Sequence, residues 1–259
     1  RIALTLGYRA KYHQYFDLVD RSALVDSKLS VSALPRYVLS ALEQTLTWDA
    51  RDNPLAATRN YFLQLTTTEA GGPLGGDFGF FRVTSDGRAY RRLRVDDWEP
   101  GTVVAGRLGG GVIVPYEVGD DVELDERLFV GGGNSVRGWG EGRLGPHVEV
   151  QTCAPDDADD CTATWQPVGG LVSAFGSVEL RQPLPWSLGM VLFVDAGRAW
   201  DKAANVLGSP VQFGVGAGLR YVTAIGPIRV DFGVAIMTED QPGWEGQAWT
   251  LNLGLGEAF

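Results

Sequence analysis

Residues 249–259 read WTLNLGLGEAF. Trp249, Leu251, Leu253 and Leu255 fall on one side of a two-residue repeat, with Thr250, Asn252, Gly254 and Gly256 on the other. A period of two belongs to an extended strand with one apolar and one small or polar face. The segment before it, GPIRVDFGVAI at 226–236, repeats the pattern, setting Ile228, Val230, Phe232, Val234 and Ile236 against Arg229, Asp231, Gly233 and Ala235. FGVGAGLRYVT at 213–223 does so again, and the turn AIGP joins the two.

Alternation alone is ambiguous. In a soluble sandwich the apolar face lines a core and the polar face meets water. In an outer-membrane barrel the apolar face meets lipid and the polar face lines the lumen. Three features favour the barrel: strands of about ten residues, short turns alternating with long polar loops, and aromatics such as Tyr221 and Trp249 at interface heights. Further strands are expected near 1–16, 36–50, 58–70, 77–93, 102–116, 171–183 and 188–197, which makes ten in all. Long connections fall near 17–35 and 117–168. The repetition is that of hairpins, with no linker or helical heptad, so 1–259 reads as one domain.

Composition agrees. Gly contributes 35 of 259 residues and Trp, Tyr and Phe are plentiful, which suits strands and turns. The charge balance, 22 basic against 32 acidic residues for a net −10, argues against a nucleic-acid partner bound through its phosphates. No run of 18 apolar residues marks a transmembrane helix. The chain opens at Arg1 within a strand, as a processed or truncated end would. Cys153 and Cys161 flank APDDADD in a polar loop. That spacing is expected to close a small disulfide in an oxidising compartment, and the acids between them read as a solvated run rather than a calcium loop.

Enzymatic motifs are absent. GVGAG at 214–218 lies inside a strand, so it marks close backbone packing rather than a dinucleotide loop. His13 and His147 are too isolated for a metal site or a nucleophile triad. No nucleophile elbow or carboxylate pair is visible, and nothing implies a cofactor.

One segment is unlike the rest. LDERLFVGGGNSVRGWGEGRLGP at 124–146 resembles the sixth extracellular loop of the outer-membrane assembly-factor superfamily, the BamA and TamA type of barrel, whose signature is Val-Arg-Gly followed by an aromatic. Here that signature is Val136, Arg137, Gly138 and Trp139. GSVELRQPLP, LFVDAGRAW, GAGLRYVTAIGPIRVDFG and LNLGLGEAF resemble, in order, the last barrel strands of the family, and TWDARDNPLAATRNYFLQL an earlier strand pair. Details of the loop and of the ending look closer to TamA than to BamA.

The resemblance implies an all-β, antiparallel transmembrane barrel of sixteen strands, of which this chain holds the carboxyl-terminal ten. The first strands and the periplasmic POTRA modules would precede Arg1. It implies a bacterial outer-membrane protein that inserts or translocates other proteins without covalent chemistry. Its partners would be outer-membrane lipid and lipopolysaccharide, client outer-membrane or secreted proteins, and periplasmic or inner-membrane accessory subunits. A polypeptide-secretion transporter of the same superfamily and a passive porin are the rival readings. The resemblance also implies that the loop folds into the lumen and that Arg137 meets an inward acid in the motif Phe193-Val194-Asp195. Strand alternation puts Phe193 and Asp195 on one face, and Glu179 inward on the preceding strand, so Arg137 is expected to reach Asp195, Glu179 or both. The last strand, 247–259, would form a lateral seam, with Trp249 at its start, Gly254 and Gly256 weakening it and Phe259 as a terminal sorting aromatic. Glu257 is expected on its apolar side.

Overall fold

A computed structural model describes residues 1–14, 31–32, 36–93, 101–116, 122–154, 157–224, 226–237 and 248–259. Ten long strands form one antiparallel sheet: β1 Ile2–Gln14, β3 Arg36–Asp49, β4 Asn60–Ala70, β5 Phe80–Leu93, β6 Thr102–Pro115, β10 Val172–Pro183, β11 Leu188–Trp200, β12 Gln212–Thr223, β13 Gly226–Ile236 and β14 Trp249–Leu255. They pair in chain order, each with the next, as a run of hairpins. The ten strands read from the sequence are the ten found.

The long connection before β10 holds structure that the sequence reading treated as loop. β8 His147–Ala154 and β9 Asp157–Pro167 form a separate hairpin, and β2 Val31–Ser32 pairs with β7 Val122–Glu123 in a short parallel ladder. The signal was available in HVEVQT and TATWQP, two β-branched runs of alternating character. Cys153 and Cys161 are register partners in the β8–β9 ladder.

The direction of the side chains decides between sandwich and barrel. On β14 the leucines face out, with Leu253 73% exposed. On β10, Val178 is 60% exposed while its neighbour Glu179 is fully buried; on β11, Val194 is half exposed and Asp195 fully buried. Charges inside and aliphatics outside invert the arrangement of a soluble protein, and only lipid around the sheet makes it favourable. Aromatics flank the apolar band: Trp48, Tyr61 and Tyr221 near the short-turn end, and Phe213 and Trp249 near the long-loop end. Val194→Arg is therefore expected to lower stability by about 2–4 kcal/mol, the midplane cost for a lipid-facing cation. Urea titration in phospholipid vesicles checks it, and a surface-like change below 0.5 kcal/mol would contradict this orientation.

Candidate functional site

The inward faces of β10, β11, β12, β13 and β14 surround a loop. Residues 124–146 leave β7, pass over the long-loop end of the barrel and turn into its interior. Their entry is held on two sides. Glu126 accepts from Arg9 of β1 and Arg82 of β5, each at 3.1 Å, and Asp125 accepts from Tyr37 of β3 at 2.6 Å and pairs with Lys11. The next residue, Arg127, is buried and donates to Asp201, just past β11, at 2.6 Å. Burial would raise the carboxyl pKa of Asp125, but hydrogen bonds from Lys11 and Tyr37 outweigh it and hold that pKa below the usual range.

Inside the lumen Arg137 is buried and every donor on its guanidinium is used. Nε donates to Asp195 Oδ2 and Nη2 to Asp195 Oδ1, both at 2.8 Å, a two-pronged grip. Its own backbone N–H adds a third bond to Asp195 at 3.0 Å. Nη1 donates to Glu179 at 2.6 Å and reaches Asp231 of β13 at 3.5 Å, while Nη2 also donates to Ser177 at 3.1 Å. The guanidinium lies 3.5 Å above the centre of the Phe193 ring. A flat, delocalised cation satisfies this set, whereas a Lys head group could not span two carboxylates and stack on a ring.

A buried charge needs compensation, and the surroundings supply it. Arg181 donates to Glu179 at 2.8 Å, Arg220 to Asp231 at 2.5 Å and to Glu257 at 2.9 Å, and Arg229 lies 3.6 Å from Asp231. Four arginines, 137, 181, 220 and 229, thus face four acids, Glu179, Asp195, Asp231 and Glu257.

The loop backbone lies flat on the barrel wall where the wall has no side chains. A Cβ on Gly214 would sit 1.9 Å from the Arg137 carbonyl oxygen, and one on Gly233 would sit 2.5 Å from Gly138 N. Gly138 itself has φ of 93°, a left-handed conformation, with the Val234 carbonyl 2.7 Å from where its Cβ would be. Gly214 of GVGAG and Gly233 of VDFG are therefore the seat of the loop. Val136 and Trp139 are buried beside Val130, Leu144 and Ala199, and the indole N–H of Trp139 donates to the Phe213 carbonyl at 2.8 Å. Trp in place of Phe or Tyr thus fills the same apolar nest and gains a hydrogen bond.

The sequence reading named Arg137, Phe193, Asp195 and Glu179, which the structure brings together. It missed Asp231, Ser177, Arg220 and the glycine seat, although Arg229 and Asp231 already stood on the polar face of GPIRVDFGVAI. It also misread the chain end. Regular strand stops at Leu255, not at residue 259. Gly256 adopts φ of 89° and turns the chain, which reverses the alternation. Glu257, expected toward lipid, points inward to Arg220, and Phe259 is buried against Ala57, Tyr90 and Ala105, with its backbone oxygen accepting from Arg181 at 3.1 Å. Trp249 and Gly254 do lie in the strand, while Gly256 and Phe259 lie beyond it.

Across residues 1–259 the sequence matches the family model described as the Omp85 superfamily domain. The chain belongs to the Omp85 superfamily. It is similar to an outer membrane protein assembly factor BamA of Nitratidesulfovibrio vulgaris, with 26% identity over 256 residues, 98% of this chain and 29% of that protein. It is also 27% identical over 201 residues to a sorting and assembly machinery component 50 homolog of Xenopus tropicalis, covering 76% of this chain and 38% of that protein. The crystal structure of BamA from Haemophilus ducreyi lacking POTRA domains 1–3 shares its fold, with a TM-score of 0.67 at 18% identity, over 98% of this chain and 49% of that one. The chain thus spans well under half the length of these sequence relatives. This Omp85 chain is an outer-membrane β-barrel domain of the bacterial type.

Proposed function

We propose that this Omp85 barrel, as the carboxyl-terminal part of a longer protein with periplasmic modules, assembles other proteins into the outer membrane, working through a lateral seam at β14. The observation that carries the reading is the loop seated in the lumen by Arg137. A porin keeps its lumen open to solutes, whereas here the central space holds a charge-balanced plug whose contacts run from β10 to the last strand. Among the described residues β14 is hydrogen-bonded on one side only, to β13, so its other edge offers backbone donors and acceptors to a partner strand. Such templating needs no cofactor. Cys153 and Cys161, opposite one another in an extracellular hairpin, are proposed to be disulfide-bonded. Lipid, lipopolysaccharide and accessory subunits remain the proposed neighbours of the whole protein.

A photo-reactive phenylalanine placed at Leu253 of β14, and separately at Ser173 in the lumen, tests the route in the full-length protein. Clients being assembled should cross-link from position 253. Capture from position 173 alone would contradict the seam and favour a polypeptide transporter.

A further inference from the structure

The loop tip touches more than the Arg137 partners. Asn134 is bonded from opposite walls, its carbonyl accepting from Arg107 of β6 at 2.7 Å and its side-chain oxygen from Arg229 of β13 at 3.0 Å. Arg229 also reaches the Gly133 carbonyl at 3.3 Å. The tip then meets the inward face of β14: Gly138 N–H donates to Thr250 Oγ1 at 2.9 Å, and Asn252 Nδ2 donates to the same hydroxyl at 3.1 Å. A Cβ built on Gly133 would lie 3.3 Å from the Asn252 Cβ. Gly254, the third inward position, leaves room for the Arg229 side chain, whose Nε is 2.5 Å from where a Cβ would stand.

From this arrangement we propose that the loop tip is a latch on the last strand, with Thr250, Asn252, Arg229 and Asn134 as its positioning residues. The proposal rests on the seam reading above and adds how β14, the strand that carries the seam edge, is held against β13. The β13–β14 ladder runs only from Ile228 to Val234 against Leu255 to Trp249. Tip contacts at Thr250 and Asn252 therefore supplement a short ladder on its inward face. If β14 swings away from β13, Gly138 N–H loses its acceptor within a buried site, an outcome that disfavours opening. If the tip leaves first, β14 keeps its ladder and the anchors just past its end, Glu257 on Arg220 and Phe259 on Arg181. The coupling is reciprocal by linkage: whatever factor tip docking contributes to strand pairing, strand pairing contributes to tip docking. The latch adjoins the Arg137 grip: Gly138 follows Arg137 in the chain, and Arg229 lies 3.6 Å from Asp231, which Arg137 also reaches.

The test uses full-length protein with Cys153→Ser and Cys161→Ser, carrying Gly133→Cys and Asn252→Cys. The 3.3 Å Cβ separation is close to that of a disulfide, so a bond should form on mild oxidation. Client assembly should then fall at least tenfold and return on reduction. A bond that forms without loss of assembly, or a failure to form it, overturns the latch. If even the reduced and parental proteins assemble no client, the functional reading fails instead. The latch is then judged by hydrogen exchange in detergent: Thr250→Val should speed exchange about tenfold at Gly138 and along β14, and Arg137→Ala should do the same to β14. Acceleration confined to the substituted residue's own element would also overturn it.

Discussion

Arg137→Ala is expected to release the loop from the lumen while leaving the ten-stranded sheet in place. The substitution removes the two-pronged grip and leaves Asp195, fully buried, with Ser177 as its remaining side-chain donor at 2.5 Å. Glu179 and Asp231 fare better, because Arg181 and Arg220 still bind them. Removing one partner of a buried ion pair typically costs about 3–5 kcal/mol, most of it the penalty for the charge left behind. Asp195→Ala should cost a similar amount by stranding Arg137 Nε. Because the two residues form one unit, the double variant should be no worse than either single change. Arg137→Lys should resemble the alanine variant more than the wild type, since charge without the fork cannot serve Asp195 and Glu179 together. Limited proteolysis within residues 131–145, read beside heat-modifiable gel mobility of the barrel, separates loop release from barrel unfolding.

Gly233→Val should evict the loop by steric means without touching a single charge. The new Cβ would stand 2.5 Å from Gly138 N and 2.9 Å from the Arg137 carbonyl carbon. Overpacking costs about 1–3 kcal/mol where side chains can adjust. Here the colliding atoms are backbone on both sides, so the upper end or more is expected. Gly214→Ala, 1.9 Å from the Arg137 oxygen, should act in the same way from β12. Gly106→Ala on β6 is the control, since its Cβ would meet nothing nearer than 4.0 Å. The strands themselves should tolerate all three changes, because β-branched residues and Ala both suit a sheet better than Gly. The same proteolysis should therefore open the loop in the Gly233 and Gly214 variants and leave the Gly106 variant protected.

These two results bear on different kinds of information in the chain. The strands were legible because lipid outside and a lumen inside impose a strict alternation, and ten segments carry it. The inward positions of Asp195 and Glu179 followed from the same alternation. What the loop would meet there did not, since nothing local to residues 131–145 specifies which of several inward acids lies within reach. Asp231 joins the site because β13 passes beneath the tip, a property of the assembled sheet. The glycine seat was half visible: GVGAG was read as close packing, but the partner in that packing lies some 80 residues earlier. The misreading of the chain end has a simple cause. Alternation extrapolates only while the backbone stays extended, and one left-handed glycine, Gly256, inverts the phase for Glu257 and Phe259. The β8–β9 hairpin was overlooked because its apolar alternation is short, confined to Val148 and Val150, and sits within a run of polar and charged residues.

Seating of the loop through Arg137 is proposed to serve outer-membrane protein assembly. Its most direct test is the level of correctly folded outer-membrane proteins in cells that depend on the full-length protein carrying Arg137→Ala, Asp195→Ala or both, with barrel folding verified by heat-modifiable mobility. Each single change should depress assembly, with the double variant no worse than either. Three folded variants that all assemble clients at the wild-type level would contradict it.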